Sequence, residues 1–244
     1  MICCIASKER PYTKTHTLFE AADIETFHFV EPQEVNEYKT QPNVVNIEND
    51  ARGLPYARNF ILNWAADNSH EWIIVCDDDV TSFGFYDGRN NKRGAEIWHE
   101  IVNKAEKMPF EIVGINYRQH AWHEKTAVSI NRKFADVCVA LKVPALKWRY
   151  TESLKMKSDR DFLLRTIKNG FGTVRFNKYY FDTPVVGTNQ GGLHREYASK
   201  EDAKWSAKLV EAWHPYAKLT KRSGRIDAKV DIPALARAHR KTVR

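Results

Sequence analysis

The stretch Trp72-Ile73-Ile74-Val75-Cys76-Asp77-Asp78-Asp79 (residues 72–79) decides the fold class of this chain. Its first five residues are apolar without interruption, which is typical of a parallel β-strand that helices cover on both faces. The strand ends abruptly in three aspartates. Ligands of open α/β sheets bind beyond the carboxyl ends of the strands, so these carboxylates mark the expected position of a site.

Short apolar runs and helical periodicities alternate on both sides of this strand. Further strands are predicted at residues 2–6, 27–30, 44–47, 111–117, 126–131, 135–141 and 173–181. Helices are predicted at residues 55–66, 92–108, 158–169 and 199–213. This order predicts an α/β fold with a mixed, Rossmann-like sheet and helices on both faces.

Composition excludes several classes of protein. A chain of 244 residues with 43% apolar and 12% aromatic residues buries a sizeable core and is not disordered. Its apolar runs are too short to cross a bilayer, so no membrane partner is expected. The four cysteines form no CxxC pair and no zinc spacing, and we find no signal-peptide pattern. We therefore expect a cytoplasmic protein with reduced thiols.

The net charge of +7 is concentrated at the C-terminus. Residues 217–244 contain nine Lys and Arg against two Asp, which leaves residues 1–216 neutral. We predict one domain over residues 1–216, followed at 217–244 by a basic linker and a short helix. The basic segment has two interpretations, a contact with a polyanion such as nucleic acid or a solubilising end.

Three consecutive aspartates repel one another unless a positive charge compensates them. A divalent cation is the usual remedy, and oxygen ligands favour Mn²⁺ or Mg²⁺. Side chains alternate along a strand, so Asp77 and Asp79 point to one side and Asp78 to the other. This predicts that Asp77 and Asp79 hold the metal. The alternative is an acidic turn that caps a helix.

Four segments follow one another in the order seen in GT-A glycosyltransferases. They are Ser7-Lys8-Glu9-Arg10-Pro11, Gly53-Leu54-Pro55-Tyr56-Ala57-Arg58-Asn59, Asp77-Asp78-Asp79, and Ser158-Asp159-Arg160-Asp161-Phe162-Leu163-Leu164-Arg165. The resemblance covers residue 1 to about residue 216. It implies the GT-A fold, a nucleotide-sugar donor, a metal on an Asp-x-Asp motif that holds the diphosphate, and a later acidic residue near the acceptor hydroxyl.

Within that group the chain resembles the phage-type TET-associated glycosyltransferases. The resemblance lies in residues 52–59, in Cys76-Asp77-Asp78-Asp79-Val80 and in Asn189-Gln190-Gly191-Gly192. It implies transfer of a sugar, from a donor such as a UDP-sugar, to hydroxymethylated pyrimidines such as 5-hydroxymethylcytosine in DNA. The chain departs from the commoner Glu-Asp acidic motif, because Ser158 stands where a Glu is frequent and Asp159 alone matches.

Asp159 is accordingly the candidate general base, which would accept the acceptor proton in an inverting displacement. The competing interpretation is an acid stabilised by the helix dipole in the first helical turn. Ser158 is a candidate N-cap, and Asp161 is a cap rather than a catalyst. His194 is a candidate third metal ligand, on a loop that closes over the donor; the alternative is an exposed histidine.

The remaining site candidates belong to the nucleotide pocket. Arg10 and Arg58 match phosphate oxygens, although each is equally consistent with a structural ion pair. Position alone makes Ser7, Glu31 and Arg52 candidates, and Asp78 joins them as the middle residue of the acidic motif.

Other functions remain open at this stage. The acceptor could be a glycan, a lipid or a protein, and nucleotidyltransferases also place paired aspartates at a strand end. A non-catalytic nucleic-acid-binding module is a further alternative. If the acceptor is a base flipped out of DNA, aromatic side chains near the mouth would stack on it. Trp122, Trp148 and Tyr150 are candidates for this role, or else core residues.

Overall fold

The computed structural model describes residues 1–49, 51–185, 188–222 and 224–239, with the backbone alone at Arg222. Its strands are β1 (Ile2–Ala6), β2 (Thr26–Val30), β3 (Val44–Asn46), β4 (Trp72–Asp77), β5 (Ser82–Tyr86), β6 (Asn91–Arg93), β7 (Ile112–Tyr117), β8 (Val128–Ile130), β9 (Cys138–Lys142), β10 (Thr173–Asp182), β11 (Ala217–Arg222) and β12 (Arg225–Val230). Its helices are α1 (Thr15–Glu20), α2 (Leu54–Asp67), α3 (Ile97–Ala105), α4 (Arg118–Ala121), α5 (Ser158–Lys168), α6 (His194–Ala198), α7 (Asp202–Ala212) and α8 (Ile232–Ala238).

The central sheet is mixed and has the strand order β3-β2-β1-β4-β9-β7-β10-β5-β6, with β8 paired to β10. Strands β3, β2, β1 and β4 run parallel, whereas β9 is antiparallel to both β4 and β7. The chain leaves β1 toward β2 on one side and returns to β4 on the other. The boundary between β1 and β4 is therefore a topological switch point, where such sheets bind ligands.

Two hydrophobic cores lie on the two faces of this sheet. Side chains alternate along β1, so Cys4 belongs to one core while Cys3 and Ile5 belong to the other. Helices α2, α5, α7 and α8 cover the first face, and α1 and α3 cover the second. The predicted α/β class, with a mixed sheet and helices on both faces, is confirmed. Among the described residues, no helix has the length and apolar character that crossing a membrane requires.

Two predicted segments differ from the structure. The helix predicted at 92–108 begins only at Ile97, because Asn91–Arg93 pairs with β5 as the edge strand β6. The apolar periodicity was therefore correct only for the part that packs on the core.

The linker predicted within 217–244 is wrong. Residues 217–230 form the antiparallel hairpin β11–β12, whose small inward residues Ala217 and Ala228 are buried against the core beside α7. The many lysines and arginines mask this pattern in the sequence, because only the inward positions carry it. The short helix is present as α8, and the Asp231 side chain caps it by accepting a hydrogen bond from the Ala234 N–H at 2.9 Å. The boundary at residue 216 stays a prediction, and Arg240, Lys241 and Arg244 lie outside the described residues.

Candidate active site

The candidate site lies along one edge of the sheet, at the carboxyl ends of β2, β1, β4 and β7. The antiparallel strand β9 begins at this edge, because Cys138 pairs with Cys76 near the end of β4. Along the edge the strand order places Glu31, Ser7, Asp77, Asp136 and Tyr117 in sequence. With neighbouring strands ~4.8 Å apart, this edge is about 20 Å long.

A cavity of about 630 Å³ opens at this edge. Its lining includes Ser7, Arg10, Glu31, Arg58, Asp77, Asp78, Asp79, Asp136, Asp159 and His194. The cavity thus brings together nine of the ten predicted site residues. The exception is Arg52, whose exposed side chain lies over the Tyr56 ring at 4.2 Å and pairs with Glu152.

Two arginines compensate the three aspartates. The Arg58 guanidinium, which is buried beneath the site, donates to Asp77 Oδ1 at 2.9 Å. Arg10 donates through one nitrogen to Asp78 Oδ1 at 2.6 Å and to Asp79 Oδ2 at 3.3 Å. In this structure both arginines therefore make the ion pairs that sequence analysis offered as the alternative to phosphate binding.

Asp78 is the most buried of the three aspartates, with 4% of its surface exposed. Its Oδ2 accepts a 2.5 Å hydrogen bond from the Ser7 hydroxyl, which also contacts the Tyr38 hydroxyl at 2.8 Å. The Tyr38 oxygen in turn accepts from the Arg10 backbone N–H at 2.9 Å. Both oxygens of Asp78 thus bind protein groups, Ser7 and Arg10, while the residue itself lines the cavity; its role in donor binding stays a prediction.

The acidic cluster retains uncompensated negative charge. Burial raises the pKa of Asp77 to about 7, against the opposing charge of Arg58 and with the help of Asp79. Although burial alone lowers the pKa of Arg58, the charge of Asp77 raises it above the ordinary value. The pKa of Asp77 therefore stays high despite its ion pair with Arg58, mainly because the carboxylate is buried.

A divalent cation fits this donor set. The part of the chain that the structure describes contains no group of three His, Cys, Asp or Glu side chains arranged around an ion. His194 lines the cavity at the start of α6, but it does not complete such a set with Asp77 and Asp79. Mg²⁺ and Mn²⁺ commonly bind through one or two carboxylates plus water and phosphate, and Asp77 and Asp79 are the carboxylates that could hold such an ion here.

A glycine loop closes over the end of β1. Arg10 donates to the carbonyl oxygens of Gln190 at 2.7 Å and Gly191 at 3.2 Å, and the Gly192 N–H donates to the Lys8 carbonyl at 3.1 Å. Gly191 has φ +81°, and a Cβ there would lie 2.8 Å from Arg10 Cγ. The loop adopts this position because a glycine occupies its point of closest approach.

The N-terminus of α5 presents Asp159 to the cavity. Lys157, in the left-handed conformation, precedes the helix, and Ser158 is its first helical residue without a side-chain cap bond. The predicted Ser158 cap and Asp161 capping box are therefore wrong. Asp161 instead accepts hydrogen bonds from Trp213 Nε1 at 2.8 Å and from the Thr151 hydroxyl at 2.7 Å, because tertiary partners compete with the local cap.

Asp136 is an acidic residue of the cavity that sequence reasoning missed. It precedes β9 and lies in the cavity within electrostatic range of Asp159. Burial, followed by the charge of Asp159, raises the pKa of Asp136 to about 6, while Arg160, Arg175 and Arg58 oppose this shift. The available signal was an acid near the start of the strand predicted at 135–141, and it becomes informative only once β9 is known to be antiparallel to β4.

The remaining candidates take structural positions around the cavity. Glu31 is buried at the end of β2 and accepts from Lys8 Nζ at 2.8 Å and from the Ala51 N–H at 3.0 Å. The three aromatic candidates for base stacking are not among the residues that line the cavity. Tyr150 stacks on Phe162 in the core at 4.0 Å, Trp148 donates to Thr166, and Trp122 packs against Tyr86.

Other aromatic side chains line the cavity instead, namely Phe29, Tyr117 and Tyr197. Tyr197 belongs to α6, and the Arg225 guanidinium lies 4.9 Å from its ring centre. Burial, followed by the charge of Asp159, raises the pKa of Tyr197 to about 12. Tyr197 therefore remains a neutral phenol at the end of the cavity that holds Asp159.

The C-terminal hairpin also contributes to the cavity. Asp227 of β12 accepts from Arg160 at 2.9 Å and from Lys157 Nζ at 3.0 Å. It therefore binds residues on both sides of Asp159 at the start of α5. Arg225 pairs with Asp202 at 2.8 Å. Sequence analysis missed Arg225 and Asp227 because it assigned this segment to a linker.

The profile of the TET-associated glycosyltransferase family matches residues 4–192, which include the whole acidic cluster, Asp136, Asp159 and the glycine loop. No curated protein matches the chain.

Three solved structures illustrate what the fold is similar to. Glucosyl-3-phosphoglycerate synthase from Mycobacterium tuberculosis, in complex with Mn²⁺, UDP-glucose and phosphoglyceric acid, is 9% identical, with 96% of this chain and 90% of that chain covered and a TM-score of 0.49. CMP:2-keto-3-deoxy-manno-octonic acid synthetase complexed with CTP is also 9% identical, with coverages of 87% and 99% and a TM-score of 0.46. Mannose-1-phosphate geranyltransferase from Thermus thermophilus is 11% identical, with coverages of 98% and 68% and a TM-score of 0.35.

These last likenesses are distant, and the family assignment rests on the profile match across most of the chain. The matched region includes the strand, the acidic cluster and the helix start from which the site is built. The chain belongs to the TET-associated glycosyltransferase family, and it is a glycosyltransferase.

Proposed function

We propose that the protein transfers a sugar from a UDP-sugar or related nucleotide sugar to 5-hydroxymethylcytosine, or another hydroxymethylated pyrimidine, in DNA. The observation that carries this proposal is a single cavity with the acidic cluster at its centre and further carboxylates, Asp136 and Asp159, on one side. On the other side lie the ends of β1 and β2. This division supports a donor side at β1 and β2 and an acceptor side at Asp136 and Asp159. We also propose a cytoplasmic location.

The donor side requires a cation. A diphosphate would be repelled by Asp77, Asp78 and Asp79, since the described ion pairs set two guanidinium groups, Arg10 and Arg58, against three carboxylates. Asp77 and Asp79 would hold Mn²⁺ or Mg²⁺. When bound, the ion supplies positive charge to the diphosphate as the bond to the sugar breaks. Arg10 and Arg58 keep the carboxylates oriented, while Ser7 and Glu31 border the space left for the nucleoside.

The acceptor side supplies the base. Asp159 accepts the proton of the acceptor hydroxyl while the hydroxyl oxygen attacks the anomeric carbon of the sugar. The nucleoside diphosphate leaves with the electrons of the bond that breaks. The Arg160 side chain is held by Asp227, and the Arg160 backbone N–H donates to Asp159 Oδ1, so the carboxylate is oriented by its neighbour. An attack from the face opposite the leaving group inverts the configuration.

A DNA acceptor is supported by the family and by the shape of the site. The 5-position of cytosine lies in the major groove, and a reaction centre inside a cavity reaches a base only when the base leaves the stack. Tyr117 and Tyr197 line the cavity and offer aromatic surfaces to such a base. No comparable feature of the described part of the site favours a glycan, lipid or protein acceptor.

The direct test is a transfer assay. Purified protein is incubated with Mn²⁺, a panel of nucleotide sugars and duplexes of one sequence that contain cytosine, 5-methylcytosine or 5-hydroxymethylcytosine, and the nucleosides are then analysed by mass spectrometry. We expect a hexose or pentose mass increase only on the hydroxymethylated base, and its loss in excess EDTA. Donor hydrolysis without transfer to any duplex would reject the DNA acceptor, and transfer in chelator would reject the metal.

A further inference from the structure

The C-terminal hairpin has one face that continues the wall of the cavity. Side chains alternate along each strand, and directly paired residues share a face. The register pairs Lys218 with Lys229 and Thr220 with Asp227, while Arg225 shares the Asp227 face two residues earlier. We call these five residues the cavity-side face. Arg225 and Asp227 line the cavity, so this face leads from the cavity directly onto the protein surface.

The cavity-side face is held firmly in place. Asp227 binds Lys157 and Arg160 at the start of α5, and Arg225 binds Asp202 at the start of α7. The opposite face of the hairpin buries Ala217 and Ala228 in the core. The position of the lysines relative to Asp159 is consequently fixed by the fold.

Two lysines on this face carry uncompensated charge. Lys218 and Lys229 are exposed, and within the described ranges neither forms an ion pair. They face each other across the hairpin, although like charges at paired positions destabilise a sheet. Lys229 lies two residues from Asp227, about 7 Å along the strand. Two unpaired cations next to a catalytic cavity are suited to a phosphate backbone.

We propose that the cavity-side face binds the phosphate backbone of the DNA strand beside the base that enters the cavity. The proposal rests on the proposed function, because it assigns a contact surface to the same acceptor. Phosphate contacts fix the position of a duplex without reading its sequence. Lys218 and Lys229 thereby hold the flanking phosphates, while the adjacent cavity selects the hydroxymethylated base.

The same hairpin provides a matched control. Lys221 is exposed and is also without an ion pair among the described residues, but it pairs with Ile226 on the opposite face. The variants Lys218→Gln, Lys229→Gln and Lys221→Gln each remove one charge from one exposed strand position. Deleting the whole segment is unsuitable as a test, because Ala217, Ala228 and Leu235 belong to the core.

The experiment measures binding of an unmodified duplex to the full chain by fluorescence anisotropy between about 0.05 and about 0.3 M salt, together with KM and kcat for hydroxymethylated duplex. For Lys218→Gln and Lys229→Gln we expect the slope of log affinity against log salt to fall by about 0.9 each, affinity at about 0.1 M salt to fall about 5–10-fold, and KM for DNA to rise with kcat unchanged. Lys221→Gln should match the wild type, and thermal melting confirms that all variants fold.

The outcomes separate this proposal from the proposed function. Equal effects of Lys218→Gln and Lys221→Gln, or no effect of either, would overturn the surface assignment even when the wild type glycosylates DNA. Suppose that Lys218→Gln and Lys229→Gln weaken duplex binding, that Lys221→Gln does not, and that the wild type never transfers sugar to DNA. This result would support the surface and reject the DNA acceptor. Loss of transfer with no loss of binding in Lys218→Gln would also count against the phosphate contact.

Discussion

Arg10 is the residue that connects the parts of the site. Its guanidinium contacts Asp78, Asp79, Gln190 and Gly191, and its backbone N–H donates to Tyr38. A guanidinium presents five donors in a fixed plane, which a lysine ammonium does not reproduce. One side chain therefore sets the relative positions of β1, the acidic cluster and the glycine loop.

Asp78→Ala is expected to act mainly on the stability of the fold, with a smaller effect on affinity for the donor. The substitution leaves the Arg10 guanidinium and the Ser7 hydroxyl without their buried partner, and we expect the free energy of unfolding to fall by about 2–4 kcal/mol. Urea denaturation measures the change. The exposed Glu37→Ala serves as control and should stay within about 0.5 kcal/mol of the wild type. A stable Asp78→Ala protein that fails to bind donor would show that Asp78 contacts the ligand.

Asp159→Asn is expected to lower kcat about 10²–10⁴-fold with donor affinity unchanged. An asparagine oxygen still accepts the hydrogen bond that Asp159 Oδ1 receives from the Arg160 N–H at 2.8 Å, so the helix start remains intact. Rapid-quench kinetics and donor titration by calorimetry provide the two measurements. If kcat is retained and Asp136→Asn instead abolishes it, the base is Asp136.

Asp136→Asn is expected to change how stability depends on pH. The pKa of Asp136 in the folded protein is about 6, above the ordinary value of about 3.9, so the folded state retains a proton that the unfolded state loses. The free energy of unfolding of the wild type therefore falls as pH rises from about 4 to 6. Asparagine does not titrate. Across this pH window the free energy of unfolding of the variant should therefore rise, relative to that of the wild type, by on the order of 1–3 kcal/mol.

Urea denaturation at several pH values, with chelator present, measures this difference. The exposed Asp67→Asn is the control and should give a curve parallel to that of the wild type. A constant offset between Asp136→Asn and the wild type would mean that Asp136 is ionised throughout and that Asp159 does not raise its pKa.

At the scale of elements, the site depends on two short segments that meet strand ends. The start of α5 presents Asp159, and the loop at 188–192 docks on residues 8–10. Neither segment is held by a side-chain cap or by a strand ladder in the described part of the chain. Each is held by tertiary contacts, namely Asp227 for the α5 start and Arg10 for the loop.

Gly191→Ala is expected to displace the glycine loop. The new Cβ would lie 2.8–2.9 Å from Arg10 Cγ and from the carbonyl oxygens of Lys8 and Glu9, and alanine is strained at φ +81°. We expect a loss of about 1–2 kcal/mol in stability and a several-fold higher KM for the donor. Gly88→Ala is the control, because Gly88 has φ +99° but no atom within 4 Å of its Cβ position. Equal KM values in the two variants would show that the loop does not depend on this contact.

At the scale of the whole molecule, the C-terminal segment belongs to the same core as the sheet. Ala217, Ala228, Ile232 and Leu235 pack in one cluster with residues of β1, β4 and α2. The family profile ends at residue 192, yet residues beyond it line the cavity and bury apolar surface. The hairpin and α8 therefore complete the fold.

Leu235→Ala is expected to lower the free energy of unfolding by about 2–4 kcal/mol, because its side chain is fully buried. Leu219→Ala on the hairpin is the matched control, since half of that leucine is exposed and little is lost on truncation. Chemical denaturation followed by circular dichroism and by tryptophan fluorescence provides the measurement. Coincident transitions indicate one cooperative unit. A silent Leu235→Ala would mean that the segment behaves as a separate tail.

Local patterns along the chain were enough to predict the fold class and the location of the site. An uninterrupted apolar run is typical of a strand buried on both faces, and a charged cluster directly after such a strand is expected at the sheet edge. Most strands and the long helices followed from periodicity, because side chains face the core at intervals that the backbone geometry sets. Nine of the ten predicted site residues line the cavity, and they were predicted from the acidic end of the apolar strand and from the family resemblance.

The contacts that those residues make could not be predicted from local patterns. The partners of Asp78 lie about 70 positions away, and the glycine loop reaches Arg10 across 180 positions, so no local pattern reports them. Asp136 became part of the site because β9 runs antiparallel to β4, which brings its first residues to the carboxyl ends of its neighbours. The hairpin was hidden because its exposed lysines dominate the composition, while two inward alanines carry the packing. Burial and charge compensation depend on pairs of distant residues, and only the folded chain establishes those pairs.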